Sequence, residues 1–181
     1  MPETIVRKAT RSDLNAVEKI YEDVHTSEET GKQEIGWIRG VYPTRATAQA
    51  ALDRDDLFVL VCGEETLGAA VINRLQVDVY ALGSWQYIVP ENEVCVLHTL
   101  VISPDVSGRG LGRAFVRFYE EYALSLGCRE LRMDTNVRNS AARAMYRGLG
   151  YREIGVVPTV FNGIPDVHLV LLEKHLQKKS P

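Results

Sequence analysis

The sequence predicts a three-layer α/β domain of the α+β type, in which helices flank a mixed, mostly antiparallel sheet. The first observation behind this prediction is the length of 181 residues, which suits a single domain, residues 1–181, with its own core. The second is a content of 45% hydrophobic and 25% charged residues, which is typical of globular proteins. The third is the order of elements, which mixes a hairpin with strand–helix units.

The first quarter of the chain predicts one strand and two helices. Residues 4–9 alternate between apolar and polar side chains, as a half-buried strand does. Residues 10–13 then form a capping-box pattern ahead of apolar residues at helical spacing over 14–21. Residues 23–45 are polar and rich in glycine, so we expect an ordered loop or short helices there. A second helix is expected over residues 44–52.

The middle of the chain predicts a hairpin and a third strand. The apolar runs 57–62 and 67–75 are separated by a turn and therefore predict two paired strands. Residues 76–92 form a long connection that carries three aromatic residues, and long ordered connections are often functional. Residues 94–102 are again strand-like, and they lead into a glycine-rich segment.

The last third alternates helices and strands. Apolar spacing predicts a helix that begins near Leu111 and ends at Gly127, and a short strand over residues 131–135. A further helix carries Ala142 on its apolar face and ends at Gly150. The final two strands are expected over residues 151–157 and 167–173.

The charge balance limits the classes of partner. The net charge is −3 and the isoelectric point is about 5.8, which argues against broad binding to nucleic acids or anionic membranes. The first residues lack a basic and then apolar leader, and no apolar run approaches the ~18 residues of a spanning helix. We therefore expect a cytoplasmic protein that binds small molecules. A homodimer stays open.

Neither the cysteines nor the histidines are spaced as metal ligands. The three cysteines are far apart and form no CxxC pair, so buried free thiols are expected. The four histidines show no spacing that suits zinc, and we predict no metal site. These residues are Cys62, Cys95 and Cys128, and His25, His98, His168 and His175.

The glycine-rich segment, residues 107–113 with the sequence SGRGLGR, follows a strand and begins a helix. Glycines allow close approach of a ligand to the backbone, and a helix N-terminus presents free amides and positive partial charge to phosphate. The segment lacks the Gly-Lys-Ser/Thr ending of a P-loop, and its glycines do not form GxGxxG. A kinase-type P-loop and a dinucleotide-binding fold are both excluded. We name residues 107–113 the glycine loop.

The glycine loop resembles the pyrophosphate loop of the GNAT acetyltransferase superfamily, although Ser107 stands where that family usually has Arg or Gln. The resemblance extends to the preceding LVISP segment, residues 100–104, and to NSAARAMY, residues 139–146. The LGY ending at residues 149–151 is also similar. Together these motifs cover roughly residues 57–173 in the family's order and spacing.

The resemblance implies that acetyl-coenzyme A is the cosubstrate, with its pyrophosphate on the glycine loop and its pantetheine arm paired to the strand backbone. Arg109 and Arg113 would supply positive charge, and Asn139 would contact the cofactor or cap its helix. The cofactor-binding residues implied in this way are Leu100, Val101, Ile102, Ser107, Gly108, Arg109, Gly110, Leu111, Gly112, Arg113, Asn139, Ala142 and Tyr146.

The resemblance also assigns chemistry to Tyr146, which matches the family's tyrosine that protonates the departing thiolate. An unperturbed phenol, of pKa ~10, is protonated at physiological pH and suits this role, although a packing role is the alternative. An ammonium acceptor must lose a proton before it attacks. His98 is the leading base because it lies two residues before Leu100, which predicts the same strand face. Glu93, Glu91 and a chain of water molecules are the alternatives, and His98 could instead be a core histidine hydrogen-bonded to the backbone.

The acceptor is expected to be the primary amine of a small molecule. Trp37, Tyr42, Trp85 and Glu93 are the candidate substrate-binding residues, although Trp37 and Tyr42 could instead pack between the early helices. Two other functions stay open. One is acetylation of a protein N-terminus or lysine, and the other is a non-catalytic domain that senses acetyl-coenzyme A.

Overall fold

The computed structural model describes residues 3–177, which form one seven-stranded sheet and four α-helices. The sheet order is β1-β2-β3-β4-β5-β7-β6, and every neighbouring pair is antiparallel except β4 and β5. This architecture confirms the predicted fold class. The strands are β1 (Thr4–Lys8), β2 (Leu57–Cys62), β3 (Glu65–Asn73), β4 (Val94–Ile102), β5 (Glu130–Asn136), β6 (Arg152–Phe161) and β7 (Ile164–His175), and the helices are α1 (Leu14–Glu29), α2 (Arg45–Asp53), α3 (Leu111–Ser125) and α4 (Ser140–Gly148).

The helices cover both faces of the sheet. On one face, α1 and α2 bury Val17 and Ala48 against Val59 and Val71. On the other face, α3 and α4 pack against the sheet, and Phe115 is fully buried there. We call these the α1/α2 face and the α3/α4 face. Because side chains alternate along a strand, β2, β3 and β4 each contribute to both cores.

Three elements are longer than the sequence suggests. Helix α1 continues to Glu29, so the prediction of irregular structure from residue 23 was wrong for its first seven residues. The added turns are stabilised because Val24, His25 and Ser27 are buried on the helix face that meets the core. Strands β6 and β7 also extend into a long hairpin, whose turn places Asn162 and Gly163 at positive φ.

The two central strands, β4 and β5, diverge halfway along their length. Strand β4 pairs with β5 only from residues 94–97 to residues 130–133, and beyond these pairs the two strands diverge. A bulge in β4 accompanies the divergence, because the register with β3 shifts between Ala69 and Val71 and Thr99 adopts a φ of 50°. We call the space between β4 after Leu97 and β5 after Met133 the gap.

Two further properties concern residues 3–177 as a set. None of their helices has both the length and the apolar character that crossing a membrane requires. Within the same residues, no group of three or more His, Cys, Asp or Glu side chains is arranged to hold a metal ion.

Candidate active site

The edge of β4 that borders the gap carries unpaired backbone groups. Ser103 donates its amide to Leu67 at 2.8 Å, and Val101 lies opposite Ala69 in the same register. Because hydrogen-bonding direction alternates along a strand, Val101 turns its backbone groups to β3, whereas Leu100 and Ile102 turn theirs to the gap. Two of the three predicted strand residues therefore present free backbone groups, and Val101 is instead buried in the α1/α2 core.

The glycine loop presents free amides at the start of α3. Within the described residues, the amides of residues 108–113 donate to no acceptor, and the first helical bond there runs from Ala114 to Gly110 at 3.0 Å. Gly108 and Gly110 both have a φ of 79°, a left-handed conformation that favours glycine. The loop borders a cavity of about 430 Å³, which we call the loop cavity. A phosphate group would meet free amides there.

The charged and polar residues of the glycine loop differ in their position relative to the loop cavity. Ser107 and Arg113 line the loop cavity, whereas Arg109 is exposed and lines none of the cavities described for residues 3–177. Arg113 also lies against α4, because a Cβ added at Gly148 would stand 3.3 Å from its guanidinium. Of the two predicted arginines, only Arg113 therefore lines the loop cavity.

Helix α4 closes the other side of the gap. Asn139 is its N-cap, and its Oδ1 accepts a hydrogen bond of 3.1 Å from the amide of Ala142. Asn139, Ala142 and Tyr146 all line a cavity of about 90 Å³ inside the gap, which we call the central cavity. Ala142 and Tyr146 line the loop cavity as well. The two cavities are thus adjacent, and together they connect the loop amides to the gap.

Tyr146 occupies the junction of these two cavities. Its side chain is buried, and its hydroxyl makes no hydrogen bond to any residue in the described part of the chain. Burial, and then the nearby negative charge of Asp134, raise the pKa of Tyr146 well above 10. The phenol is therefore protonated throughout the physiological range and has a proton to donate.

Asp134 faces the central cavity from β5, although none of the sequence motifs contains it. Burial raises its pKa to about 6, although a hydrogen bond of 2.8 Å from the hydroxyl of Tyr80 acts in the opposite direction. A carboxyl group with this pKa can accept a proton near neutral pH. The signal in the sequence was an acidic residue in the second half of a strand, five positions before Asn139.

His98 lies on the opposite face from the one predicted. It pairs with Val71 of the α1/α2 core, whereas Leu100 packs in the α3/α4 core. The inference that both share a face was wrong, because the bulge at Thr99 interrupts the alternation of side chains. His98 nevertheless lines a third cavity, of about 300 Å³, on the α1/α2 side of the gap.

The hydrogen bond of His98 to Asn73 indicates which ring nitrogen carries the proton. Asn73 donates its Nδ2 to the carboxylate of Asp56 at 2.9 Å, so its Oδ1 faces His98 Nε2, also at 2.9 Å. Nε2 must therefore carry a proton and donate it to Asn73. Burial lowers the pKa of His98 to about 4, so the ring is neutral near pH 7 but is a weak base.

The acidic alternatives lie away from the gap. Glu91 and Glu93 form a short 3₁₀ turn before β4, and the first paired residue, Val94, is at the closed end of the β4–β5 pair. The gap opens four residues later, which corresponds to about 13 Å along a strand. Among the cavities of residues 3–177, neither glutamate is a lining residue.

The predicted aromatic residues divide into two groups. Trp37 and Tyr42 line the central cavity, together with Phe161, and adjacent rings in this set are 5.8 Å and 5.3 Å apart in edge-to-face packing. Trp85 does not reach the gap. Its ring lies 4.2 Å from the guanidinium of Arg132, and it holds the 76–93 segment to the sheet. The expectation that Trp85 binds substrate thus has no support in its position.

Comparison with protein families places this geometry in a known group. Residues 15–151 match the model of the acetyltransferase (GNAT) family. An aminoglycoside N(6′)-acetyltransferase of Stenotrophomonas maltophilia is 30% identical over 119 residues, which cover 65% of this chain and 73% of that protein. An uncharacterized N-acetyltransferase of Methanocaldococcus jannaschii is 34% identical over 74 residues, and this match spans 41% of the chain but only 33% of that relative.

Solved structures show the same fold. A GNAT-family acetyltransferase of Streptococcus agalactiae superimposes with a TM-score of 0.80 at 21% identity, covering 97% of this chain and 96% of that one. An acetyltransferase of Salmonella typhimurium, solved with its cofactor acetyl-CoA, gives a TM-score of 0.69 at 15% identity, with 98% and 96% covered. The family match extends over most of the chain, and the matched residues include the diverging strands β4 and β5 and the glycine loop. The chain therefore belongs to the acetyltransferase (GNAT) family.

Proposed function

We propose that the protein transfers an acetyl group from acetyl-coenzyme A to the primary amine of a small molecule. The observation that carries this proposal is the continuous path from the free amides of residues 108–113 to the gap, where Tyr146 and Asp134 face one central cavity. Transfer is direct, in a ternary complex, because this arrangement brings an acceptor to the thioester without a nucleophilic side chain.

The chain's own groups fit the cosubstrate at three points. The loop amides and Arg113 would bind the pyrophosphate, where the positive end of α3 adds to the attraction. The free backbone groups of Leu100 and Ile102 would pair with the amides of the pantetheine arm. The thioester would then reach the central cavity beside Tyr146 and Ala142.

The reaction requires two proton movements. An acceptor ammonium gives one proton to the carboxylate of Asp134, and its nitrogen then attacks the thioester carbonyl carbon. The C–N bond forms and the C–S bond breaks, while the sulfur takes a proton from the Tyr146 hydroxyl. As the amide forms, the nitrogen gives its second proton to the Tyr146 oxygen, which restores the phenol. The products are the N-acetylated acceptor, coenzyme A with its thiol protonated, and one proton lost to solvent through Asp134.

Asp134 is favoured over His98 as the proton acceptor. Asp134 lines the central cavity that Tyr146 also lines, whereas His98 lines only the cavity on the α1/α2 side. The pKa of about 6 also matches a neutral operating pH better than the value of about 4 at His98. An efficient general base has a pKa near the working pH.

A small acceptor is supported by the shape of the site. The central cavity is walled by Trp37, Tyr42 and Phe161, and it has a volume of only about 90 Å³. The Stenotrophomonas relative is named for an aminoglycoside, which is a small molecule that carries amines. Both facts favour a small molecule over a protein chain, although neither identifies it.

The decisive experiment is a panel of small amines and short peptides, offered with acetyl-coenzyme A. Release of coenzyme A and the mass of the product are measured together, so that hydrolysis of the thioester is not counted as transfer. We expect acetylated product from at least one small amine. If the protein binds acetyl-coenzyme A by calorimetry but acetylates nothing, the sensing alternative stands instead. Acetylation of peptides alone would favour a protein acceptor.

A further inference from the structure

The cavity of about 300 Å³ on the α1/α2 side of the gap is the natural place for the acceptor, and we call it the acceptor cavity. It shares Leu97, Thr99, Asp134 and two aromatic walls with the central cavity, so the two spaces meet at Asp134. Its size is at the small end of the ~300–1,000 Å³ range of ligand pockets.

The charges of the acceptor cavity are arranged asymmetrically. Asp134 is the sole carboxyl group among its lining residues, and it lies at the inner end, where the cavity meets the gap. Arg54 supplies the one full positive charge among the lining residues, because His98 has a pKa of about 4 and is neutral. The remaining polar groups include the neutral amides of Asn73, Gln76 and Asn162. The inner end therefore suits a cation, whereas the rest of the wall suits an anion.

A hydrogen bond from Nε holds one edge of the Arg54 guanidinium in place. Its Nε donates to Asp56 at 2.9 Å, and Asp56 is itself fixed by Asn73. Within residues 3–177, the two terminal nitrogens of Arg54 donate to no acceptor, and its side chain is 47% exposed. A guanidinium oriented through Nε, with both terminal nitrogens available, can bind a carboxylate through two parallel hydrogen bonds.

We propose that the acceptor is a small amino acid, whose ammonium group lies at Asp134 and whose carboxylate is bound by Arg54. This inference rests on the proposed acetyl transfer and adds the chemical class of the acceptor. The number of bonds between the amine and the carboxylate is left for experiment to determine. A polycationic acceptor fits poorly, because its additional ammonium groups would approach Arg54 and meet no second carboxyl group on the cavity wall.

The test compares three matched series of straight-chain acceptors of two to six carbons. The first series carries an amine at one end and a carboxylate at the other, the second is the plain alkylamines, and the third is the diamines. For each compound, kcat/KM is measured from coenzyme A release and confirmed by product mass. We expect the best amino acid to exceed its matched alkylamine by about 10-fold, which is what one exposed, charge-assisted interaction contributes. Diamines should be the poorest.

Three variants assign the preference to Arg54. Arg54→Gln should lower kcat/KM for the amino acid to the level of the alkylamine, while the alkylamine itself is unchanged. Arg54→Lys keeps the charge without the two-pronged geometry and should retain part of the preference. The matched control is Arg45→Gln, because Arg45 is similarly exposed, at 45%, but pairs with Glu18 and lines no cavity among the described residues.

The outcomes separate this inference from the proposed function. If amines are acetylated but alkylamines or diamines are preferred, the amino acid class is wrong and acetyl transfer stands. An amino acid preference that survives in Arg54→Gln would remove Arg54 from carboxylate binding and overturn the proposal. If no compound in any series is acetylated, then the proposed small-amine transfer itself fails, and the inference fails with it.

Discussion

At the scale of single residues, the site combines two groups whose protonation states are set in opposite senses. Burial keeps Tyr146 protonated, whereas Asp134, with a pKa of about 6, is mostly ionised at neutral pH. One group therefore donates and the other accepts, and both line the same central cavity. A pair of titratable groups with separated pKa values is the usual arrangement for acid–base chemistry.

Activity should depend on pH through Asp134. Its carboxylate form accepts the proton, so kcat/KM for the acceptor should rise with pH through about 6 once the titration of the acceptor's own amine is subtracted. Asp134→Asn should lower kcat/KM by ~100-fold or more and abolish this rise of kcat/KM with pH. Asp166→Asn, at an exposed carboxyl of β7, is the control and should leave the profile intact. A limb near pH 4 that disappears in His98→Gln would instead identify His98 as the base.

Removal of the Tyr146 hydroxyl should affect turnover more than binding. Tyr146→Phe preserves the buried ring and deletes the one group that can protonate the sulfur, so we expect kcat to fall ~100-fold while the Kd for acetyl-coenzyme A stays within about twofold. The control is Tyr122→Phe, which also loses a phenol hydroxyl on the α3/α4 face but lines no cavity in the described residues. Equal turnover in both variants, with chemistry rate-limiting, would make Tyr146 structural.

At the scale of elements, the site is built from places where regular structure stops. Strand β4 stops pairing with β5 after Leu97, the bulge at Thr99 turns His98 to the other face, and the first turn of α3 leaves its amides unbonded. Each interruption frees backbone groups that would otherwise bond within the fold. In the proposed function, these free backbone groups would bind much of acetyl-coenzyme A, which is a long and polar molecule.

The glycine loop provides a test of backbone binding. Gly110→Ala places a Cβ where phosphate would approach and strains a left-handed residue, so acetyl-coenzyme A affinity should fall about 10-fold or more. Gly127→Ala is a matched control, because Gly127 has a φ of 78° and equally open surroundings but ends α3 away from the cavities. Both variants should lose ~1 kcal/mol of stability, and only Gly110→Ala should lose affinity by calorimetry. An equal loss of affinity in both would attribute it to strain alone.

At the scale of the whole molecule, the sequence was informative where function depends on local motifs. The glycine loop, the Asn139 cap and Tyr146 each lie within one strand–helix segment, so the resemblance of these local motifs to a known family implied where they lie in the fold. Asp134 and Arg54 were missed because their environment arises only when β5 separates from β4 and α2 packs beside β3. The face of His98 was misassigned because a bulge is invisible to strand alternation. Trp85 was misplaced because its partner, Arg132, is distant in sequence.

The long connection over residues 76–93 is bound to the sheet by a second buried set of charged residues, which line neither the central cavity nor the loop cavity. Arg132 donates to the side chain of Gln76 at 2.7 Å and to the carbonyl of Tyr87 at 3.0 Å. Glu173 accepts the amide of Gln86 at 3.0 Å, and Glu130 is fully buried beside both. Because the connection also carries Tyr80, this cluster supports the hydrogen bond that holds Asp134.

Stability should fall as the pH rises through the titration of Glu130. Burial, and then a shared hydrogen bond with Glu173, raise its pKa to about 8 from an ordinary value of 4.5. The folded protein therefore binds this proton more tightly than the unfolded chain, so the contribution to stability is full below pH 4.5 and is lost as pH rises through about 8. Between pH 6 and 9, urea unfolding should show a loss of at least ~1.4 kcal/mol from this group.

Glu130→Gln cannot ionise and should flatten that dependence, whereas Glu65→Gln, at an exposed carboxyl of β3, should not. Identical slopes in the parent and Glu130→Gln would mean that Glu130 is already ionised at pH 6 and is held by Arg132 rather than by a shared proton.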